Sequence, residues 1–137
     1  MVHVRLLVID DSATVRAMVE EIVEAEPGNK VVGVAGTVEA ARLLLPELKP
    51  NLITLDLNMP GIGGLAFLDE LAGYRHAPVI VLSSSTIAGS AAHDDALARG
   101  ADACFDKNRI VADAGQFRRL MHKVLARRER QLLAQTG

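Results

Sequence analysis

Two patterns of apolar residues alternate along the chain: continuous aliphatic blocks, and segments in which apolar residues recur every three or four positions. Aliphatic blocks bounded by polar, Gly or Pro residues predict strands buried on both faces. These blocks are residues 3–9, 30–35, 52–57, 78–82 and, in a shorter form, 102–106. Between them, apolar residues recur at i, i+3, i+4 and i+7, the spacing of an amphipathic helix, as at Val15, Met18, Val19, Ile22 and Val23. Five strand–helix units are therefore predicted in a single α/β domain.

Capping and breaking residues set the ends of the predicted helices. The first helix stops at Pro27, and Thr37 caps a second helix that runs to about Leu48. Pro46 should distort or shorten the last turn of that second helix. Gly100 closes the fourth helix. The third, fourth and fifth helices are predicted at 65–71, 91–99 and 117–125.

Polar residues follow four of the predicted strands. They are Asp10, Asp11, Asp56, Ser83 and Lys107. Because the carboxyl ends of parallel strands share one edge of a sheet, these side chains converge if strands one, three, four and five are neighbours. The predicted fold is therefore a doubly wound (βα)5 flavodoxin-like domain with a parallel sheet of order 2-1-3-4-5 and right-handed crossovers.

Asp56 ends the most continuous of the apolar blocks, just before a Pro60-Gly61 loop. A carboxylate at this edge of an open α/β sheet is a candidate site residue. An acid that merely caps the following loop is the other interpretation, since Asp is common at strand exits. The local pattern alone leaves both open.

Three converging carboxylates repel one another and require a cation. Oxygen ligands of this kind favour magnesium, which keeps several waters and leaves room for a phosphate oxygen. The histidines are scattered through the sequence, so no spacing favours a softer metal; they are His3, His76, His93 and His122. With Lys107 as a cation and Ser83 as a hydroxyl donor, the cluster is suited to accept a phosphoryl group on Asp56.

The amino-acid composition limits the classes of protein to which this chain could belong. The 137 residues are 50% hydrophobic but only 3% aromatic, which predicts an aliphatic core large enough for one domain. The single cysteine, Cys104, cannot form an internal disulfide. A role as a small buried hydrophobic residue is a simpler interpretation of Cys104 than a role as a redox sensor. The apolar blocks are too short to cross a membrane, and no leader precedes the first strand, so a cytoplasmic location is expected.

The carboxyl-terminal region is basic. Residues 107–137 carry eight Lys/Arg against two acids, a local charge of +6 in a chain whose net charge is −2. Such a segment can contact nucleic acid, although a solvated helix face is the more frequent explanation. We expect a domain at 1–126 and a helical extension or tail at 127–137, which either engages a partner or second copy, or is a frayed end or linker.

The chain resembles the receiver domains of response regulators in two-component signalling, from about Val4 to Leu125. The resemblance rests on the motifs at strand ends, which are residues 10–12, 55–61, Ser83, and 100–101 together with Lys107. Residues 8–13 and 81–84 look most like receivers of chemotaxis proteins, including the methylesterases.

The resemblance implies a role for each site residue. Asp56 would accept a phosphoryl group from a histidine kinase. Asp10, Asp11, Asp56 and the backbone carbonyl of Asn58 would hold Mg²⁺.

Other implied roles concern the phosphate and the switch. Ser83 and Lys107 would each bind a phosphate oxygen. Ser84, with Ser85 and Thr86, could add phosphate contacts, but a polar strand-exit loop explains these residues as well. Cys104 occupies the readout position, where the family usually has an aromatic, so a reshaped readout surface is expected.

The resulting expectation is a single-domain, phosphorylation-switched response regulator that signals by protein–protein contact through its fourth helix and fifth strand. Its partners would be a sensor histidine kinase or phosphotransfer protein and an unknown downstream protein, with neither nucleic acid nor membrane. It would be a monomer or weak homodimer, and it would catalyse at most its own phosphotransfer and autodephosphorylation. The alternatives are a magnesium-dependent phosphohydrolase with Asp56 as nucleophile and a phosphorylation-independent scaffold.

Overall fold

Strands and helices alternate throughout the computed structural model, which describes residues 2–59, 61, 63–73, 75–84 and 91–136. The strands are β1 (Arg5–Ile9), β2 (Lys30–Ala35), β3 (Leu52–Asp56), β4 (Val79–Ser83) and β5 (Ala103–Asp106). The helices are α1 (Ala13–Glu24), α2 (Val38–Leu48), α3 (Gly64–Leu71), α4 (Ala91–Ala98) and α5 (Ala114–Thr136), and a 3₁₀ turn at Lys107–Arg109 precedes α5. The predicted five strand–helix units are confirmed.

The five strands form one parallel sheet of order β2-β1-β3-β4-β5. This is the predicted order, and it brings the carboxyl ends of β1, β3, β4 and β5 together. The register aligns Ile9 with Leu55 and Ser83 with Asp106. The residues that follow these strands therefore meet at one edge of the sheet.

Two apolar clusters fill the space between the sheet and its helices. The cluster on one face joins buried residues of α2, α3 and α4, including Phe67, Leu68 and Leu71. The cluster on the other face joins α1 and α5, including Phe117 and Met121. Because successive strand residues point to opposite faces, each inner strand supplies both clusters. β3 and β4 are buried along their whole length, which explains their continuous apolar sequence.

The end of α2 differs from the prediction. The Thr37 side chain accepts a hydrogen bond from the Ala40 N–H, as expected of a cap, but the helix continues past Pro46 to Leu48 and is not shortened. Proline removes a single N–H donor from the ladder. At the helix end, where the last carbonyls have no donor within the helix, the guanidinium of Arg5 donates to the carbonyls of Leu48 and Lys49 at 3.0 and 2.9 Å.

Other element ends also differ. β1 begins at Arg5 rather than His3, and α4 ends at Ala98, one residue before the predicted end. Gly100 follows α4 with φ of +104°, as its capping role requires. At the carboxyl terminus, where either a helical extension or a tail was expected, α5 continues unbroken through residues 127–136.

Candidate functional site

Buried polar residues stand at the carboxyl ends of three adjacent strands. Asp10, Asp56 and Ser83 are 1%, 2% and 0% exposed. The sheet order places β3 between β1 and β4. Asp56 therefore lies between the other two, at the centre of the edge. The sequence left two interpretations of Asp56 open, a site residue or a loop cap. The structure buries Asp56 within a cluster of polar residues.

Lys107 closes the site from the end of β5. Its Nζ lies 3.0 Å from Asp10 Oδ2 and 3.2 Å from Asp56 Oδ2. The lysine is mostly buried, with its side chain 19% exposed. One ammonium therefore bridges two buried carboxylates. The strand-end argument predicted that these three side chains converge, but not this bridge.

Asp11 adds a third carboxylate from the solvent side. Asp10, Asp11 and Asp56 each offer an oxygen, and these three oxygens lie within 4.8 Å of one another. Asp11 is exposed, whereas its two neighbours are buried. Buried Asp10 Oδ2 accepts no hydrogen bond from the described residues, and only its ion pair with Lys107 compensates it. Three carboxylates against one ammonium leave a negative site, and this hard-oxygen donor set fits a divalent cation such as Mg²⁺.

The electrostatics of the cluster reflect burial and repulsion. Burial raises the pKa of Asp56 above its ordinary value, and the neighbouring Asp10 charge adds to the increase. A hydrogen bond from the Asn58 N–H, 3.0 Å from Asp56 Oδ1, acts in the opposite direction. Burial lowers the pKa of Lys107, but its contacts with Asp10 and Asp56 outweigh that effect and leave the pKa raised. Lys107 therefore remains a cation at neutral pH.

The loop after β3 connects Asp56 to Ser83. The Asn58 amide Nδ2 lies 3.4 Å from Ser83 Oγ, at the long end of hydrogen bonding. Ser84, which follows Ser83 directly after the end of β4, is exposed. Ser85 and Thr86, the other serine and threonine of the proposed phosphate loop, lie outside the described residues.

Two residues support the site but were not predicted. Arg16 Nη1 donates to the Asp10 carbonyl at 2.8 Å, which fixes the backbone that carries the carboxylate. A Cβ added to Gly64 would lie 2.6 Å from the Asp56 carbonyl oxygen, so only glycine fits there. Arg16 lies one helical turn after the Ser12 cap, and that spacing was the available signal. Nothing local marks Gly64 among the glycines of its loop.

Cys104 lies on β5 and is half buried. Its Sγ is 4.0 Å from the His93 carbonyl oxygen of α4. Burial raises the pKa of the thiol to about 11. The next residue, Phe105, packs edge to face on Phe117 with ring centroids 5.3 Å apart. The thiol is therefore a half-buried packing group between β5 and α4, and its raised pKa disfavours the reactive thiolate.

The fold and this acidic edge define a class of protein that sequence comparison identifies directly. Residues 6–114 match the family described as the response regulator receiver domain, and the chain belongs to that family.

Its relatives are of the chemotaxis methylesterase type. The chain is 41% identical over 122 residues to a protein-glutamate methylesterase/protein-glutamine glutaminase of Agrobacterium fabrum, covering 89% of this chain and 34% of that protein. It is 49% identical over 99 residues to such a protein of Anaeromyxobacter dehalogenans, covering 72% and 28% of the two chains. The chain thus spans about a third of the length of these relatives.

Solved structures confirm the fold. The response regulator domain of Thermotoga maritima CheB superposes with a TM-score of 0.82 at 29% identity, covering 91% of this chain and 98% of that one. CheY6 chains from R. sphaeroides have been solved with the P1 domain of CheA3; a chain of this complex superposes with a TM-score of 0.76 at 29% identity, covering 90% and 97% of the two chains. Among the helices of the described residues, none has the length and apolarity to span a membrane.

Proposed function

We propose that this chain is a phosphorylation-switched receiver whose phosphoacceptor is Asp56. One observation carries the proposal: Asp56 lies at the centre of the acidic edge, beside the Lys107 ammonium and within reach of two further carboxylates. The comparisons support the class of domain, and the geometry supports the choice of residue.

The proposed reaction is phosphoryl transfer from a phosphohistidine to the Asp56 carboxylate. A carboxylate oxygen forms a bond to phosphorus while the phosphorus–nitrogen bond breaks, and the electron pair of that bond remains on the imidazole. Asp10, Asp11, Asp56 and the Asn58 carbonyl would hold Mg²⁺, which neutralises charge on the transferring group. The Asn58 N–H and the Lys107 ammonium hold the Asp56 carboxylate in place.

After transfer, Lys107 and Ser83 would each bind a phosphate oxygen. Lys107 is already 3.2 Å from Asp56, and Ser83 Oγ contacts the Asn58 amide at the same edge. A phosphoryl group would draw the ammonium and the hydroxyl toward itself, because both bind its anionic oxygens. Ser84, next along the chain, would contribute a further contact from the same loop.

The structural change caused by phosphorylation would be transmitted from Ser83 to β5 and α4. Cys104 contacts the His93 carbonyl of α4 across the β5–α4 junction. We infer that a shift of the Ser83 end of β4 reaches α4 through this small side chain rather than through an aromatic. The resulting readout surface differs in shape from one built around a large ring.

The partners follow from this role. The CheA3–CheY6 complex supports a histidine kinase or its phosphotransfer domain as the phosphodonor. We propose a cytoplasmic, monomeric or weakly dimeric protein that signals to a downstream protein, without binding nucleic acid or membrane. Its chemistry would be limited to its own phosphotransfer and autodephosphorylation, and residues 127–137 would be an extension of the receiver domain at 1–126.

The test is incubation with acetyl phosphate, with and without Mg²⁺, followed by intact-mass measurement. Wild type should gain one phosphoryl group only with Mg²⁺, Asp56→Asn should gain none, and the exposed Asp94→Asn control should behave as wild type. Labelling that persists in Asp56→Asn would place the acceptor elsewhere. Continuous release of phosphate from an external phosphate ester would instead support a phosphohydrolase.

A further inference from the structure

We propose that a trough at the opposite, amino-terminal edge of the sheet binds a short acidic segment of a partner protein that also carries apolar side chains. The trough uses none of the residues of the phosphoacceptor site. Its occupancy is therefore separable from phosphorylation.

The trough consists of two adjoining cavities of about 480 and 660 Å³. The two cavities share their floor, which is formed by Pro50, Arg75, His76 and Ala77 in the turns before β3 and β4. The end of α2 forms one wall and the last turns of α5 form the other. Without residues 127–136 the second wall would not exist, so the long α5 is part of the trough.

The walls are held in place by bonds that do not involve a ligand. Arg128 of α5 donates to the His76 carbonyl at 2.6 Å, and its guanidinium lies 3.8 Å from Asp102. The Asn51 side chain accepts from the Arg5 N–H at 2.8 Å and donates to the His3 carbonyl at 2.7 Å. Three prolines further restrict the lining; they are Pro46, Pro50 and Pro78. A preformed trough reduces the entropy lost when a segment binds.

The lining is positively charged. Its cationic residues are Arg42, Lys49, Arg75 and Arg128, and the described residues of the lining include no carboxylate. Arg42 is paired with Glu70, and Arg128 with Asp102. Lys49 and Arg75 are exposed and form no ion pair within the described ranges. Two cations therefore remain available to an anionic partner.

The dipole of α2 does not cancel this charge. A helix carboxyl end carries partial negative charge on its last carbonyls. Here the Arg5 guanidinium occupies the carbonyls of Leu48 and Lys49. The positive side chains of Lys49 and Arg75 therefore dominate the field at the trough.

Apolar groups separate the cations. They include Leu45, Pro50, Ala77 and Leu132, the last of which is 46% exposed. This mixture matches a peptide in which carboxylates alternate with aliphatic side chains. A single-stranded nucleic acid typically stacks its bases on aromatic side chains, and the described lining has no Phe, Tyr or Trp.

The test uses the full chain and an end-blocked synthetic peptide of alternating Glu and Leu, with binding followed by amide chemical shifts. Shifts are expected at 49–51, 75–78 and 128–135, and the double substitution Lys49→Glu with Arg75→Glu should weaken binding at least tenfold. The double substitution Arg119→Glu with Lys123→Glu, an equal charge change at exposed positions on another part of α5, should leave the affinity within twofold. Raising the salt from about 50 to about 500 mM should also weaken binding, because exposed charges are screened.

Two further peptides separate the contributions. Replacing Glu by Lys should abolish binding, and replacing Leu by Ser should weaken it several-fold. The proposal is overturned if the Glu–Leu peptide shifts no trough residue, or if trough shifts arise only from self-association of the chain. Amide shifts outside the trough that match those of wild type show that the double variant remains folded. This control does not depend on phosphorylation of Asp56, so failure here is distinct from failure of the phosphoacceptor proposal.

Discussion

A single ammonium is shared between two buried carboxylates at the centre of this molecule. Lys107 lies 3.0 Å from Asp10 and 3.2 Å from Asp56. Breaking such an arrangement by removing one partner leaves a buried charge uncompensated, which typically costs about 3–5 kcal/mol. Asp11 adds negative charge to the same cluster. The excess negative charge of the site thus favours binding of a cation.

Cys104 provides a prediction at the residue scale. Because burial raises the thiol pKa from 9.0 to about 11, the folded chain keeps its proton between those values while the unfolded chain loses it. The folded state binds more protons in that window, so stability should fall as the pH rises from about 9 to about 11. At pH 9, alkylation by iodoacetamide should be at least roughly tenfold slower than in the urea-unfolded chain.

The measurement is unambiguous because the chain has one cysteine. Mass spectrometry over time gives both rates. Equal rates for folded and unfolded protein at pH 9 would show that the thiol is exposed and ionisable.

The site residues that sequence could predict are those whose position follows from strand ends. Asp10, Asp56 and Lys107 are brought together by topology alone, and topology could be inferred from the alternating pattern. Arg16 and Gly64 could not be assigned, because their roles depend on a carbonyl contact and a close backbone approach. Such tertiary contacts do not produce a periodic pattern of apolar residues in the sequence.

At the scale of elements, α4 and α5 differ in how they are held. Ala96 is the one buried residue of α4 within its described span. Ion pairs supplement that packing, since Arg99 contacts both Asp95 and Asp69 of α3. In contrast, α5 buries four apolar residues in the core, including Phe117 and Met121. α4 is therefore the helix with the least apolar attachment, which suits an element that shifts.

Arg128 provides a prediction at this scale. Its hydrogen bond to the His76 carbonyl and its ion pair with Asp102 hold the last turns of α5 against the body. In Arg128→Ala, amide hydrogen exchange at residues 129–135 should accelerate at least fivefold, and unfolding free energy should fall by about 1 kcal/mol.

The matched control is Arg127→Ala, which removes an exposed neighbour. Exchange rates in that variant should equal those of wild type. If both variants exchange alike, the last turns of α5 are helical for a reason other than the Arg128 anchor.

Element types were predictable from spacing, but element ends were not. Pro46 suggested an early end to α2, yet Arg5, distant in sequence, caps the last carbonyls. The apolar spacing of α5 is interrupted at Arg127, so the sequence left open whether residues 127–137 form a helical extension or a frayed tail. A polar anchor, Arg128, takes the place of apolar packing, and hydrophobic periodicity cannot reveal it.

The whole molecule has two chemically opposite edges. The carboxyl edge of the sheet gathers Asp10, Asp11 and Asp56, while the amino edge presents Lys49 and Arg75. A divalent cation at the first edge would relieve repulsion that the folded chain otherwise carries.

Magnesium should therefore stabilise the folded protein. At a free concentration of about 100 times Kd the stabilisation is about 2.7 kcal/mol, which raises Tm by roughly 10 °C in a domain of this size. Differential scanning calorimetry against a chelator measures this shift. Asp11→Ala, at an exposed ligand position, should reduce it several-fold, whereas Asp94→Ala should not. A Tm independent of magnesium would contradict the assignment of the acidic edge as a metal site.

The sheet also divides the interior into two independent halves. Its backbone separates the cluster beneath α2, α3 and α4 from the cluster beneath α1 and α5. Substitutions far apart and without shared neighbours combine additively, whereas those in contact do not. A combinatorial library could therefore vary Phe67 without regard to Phe117, but Phe67 and Leu71 would have to be chosen together. The sheet thus halves the number of residues that must be optimised at once when this domain is redesigned.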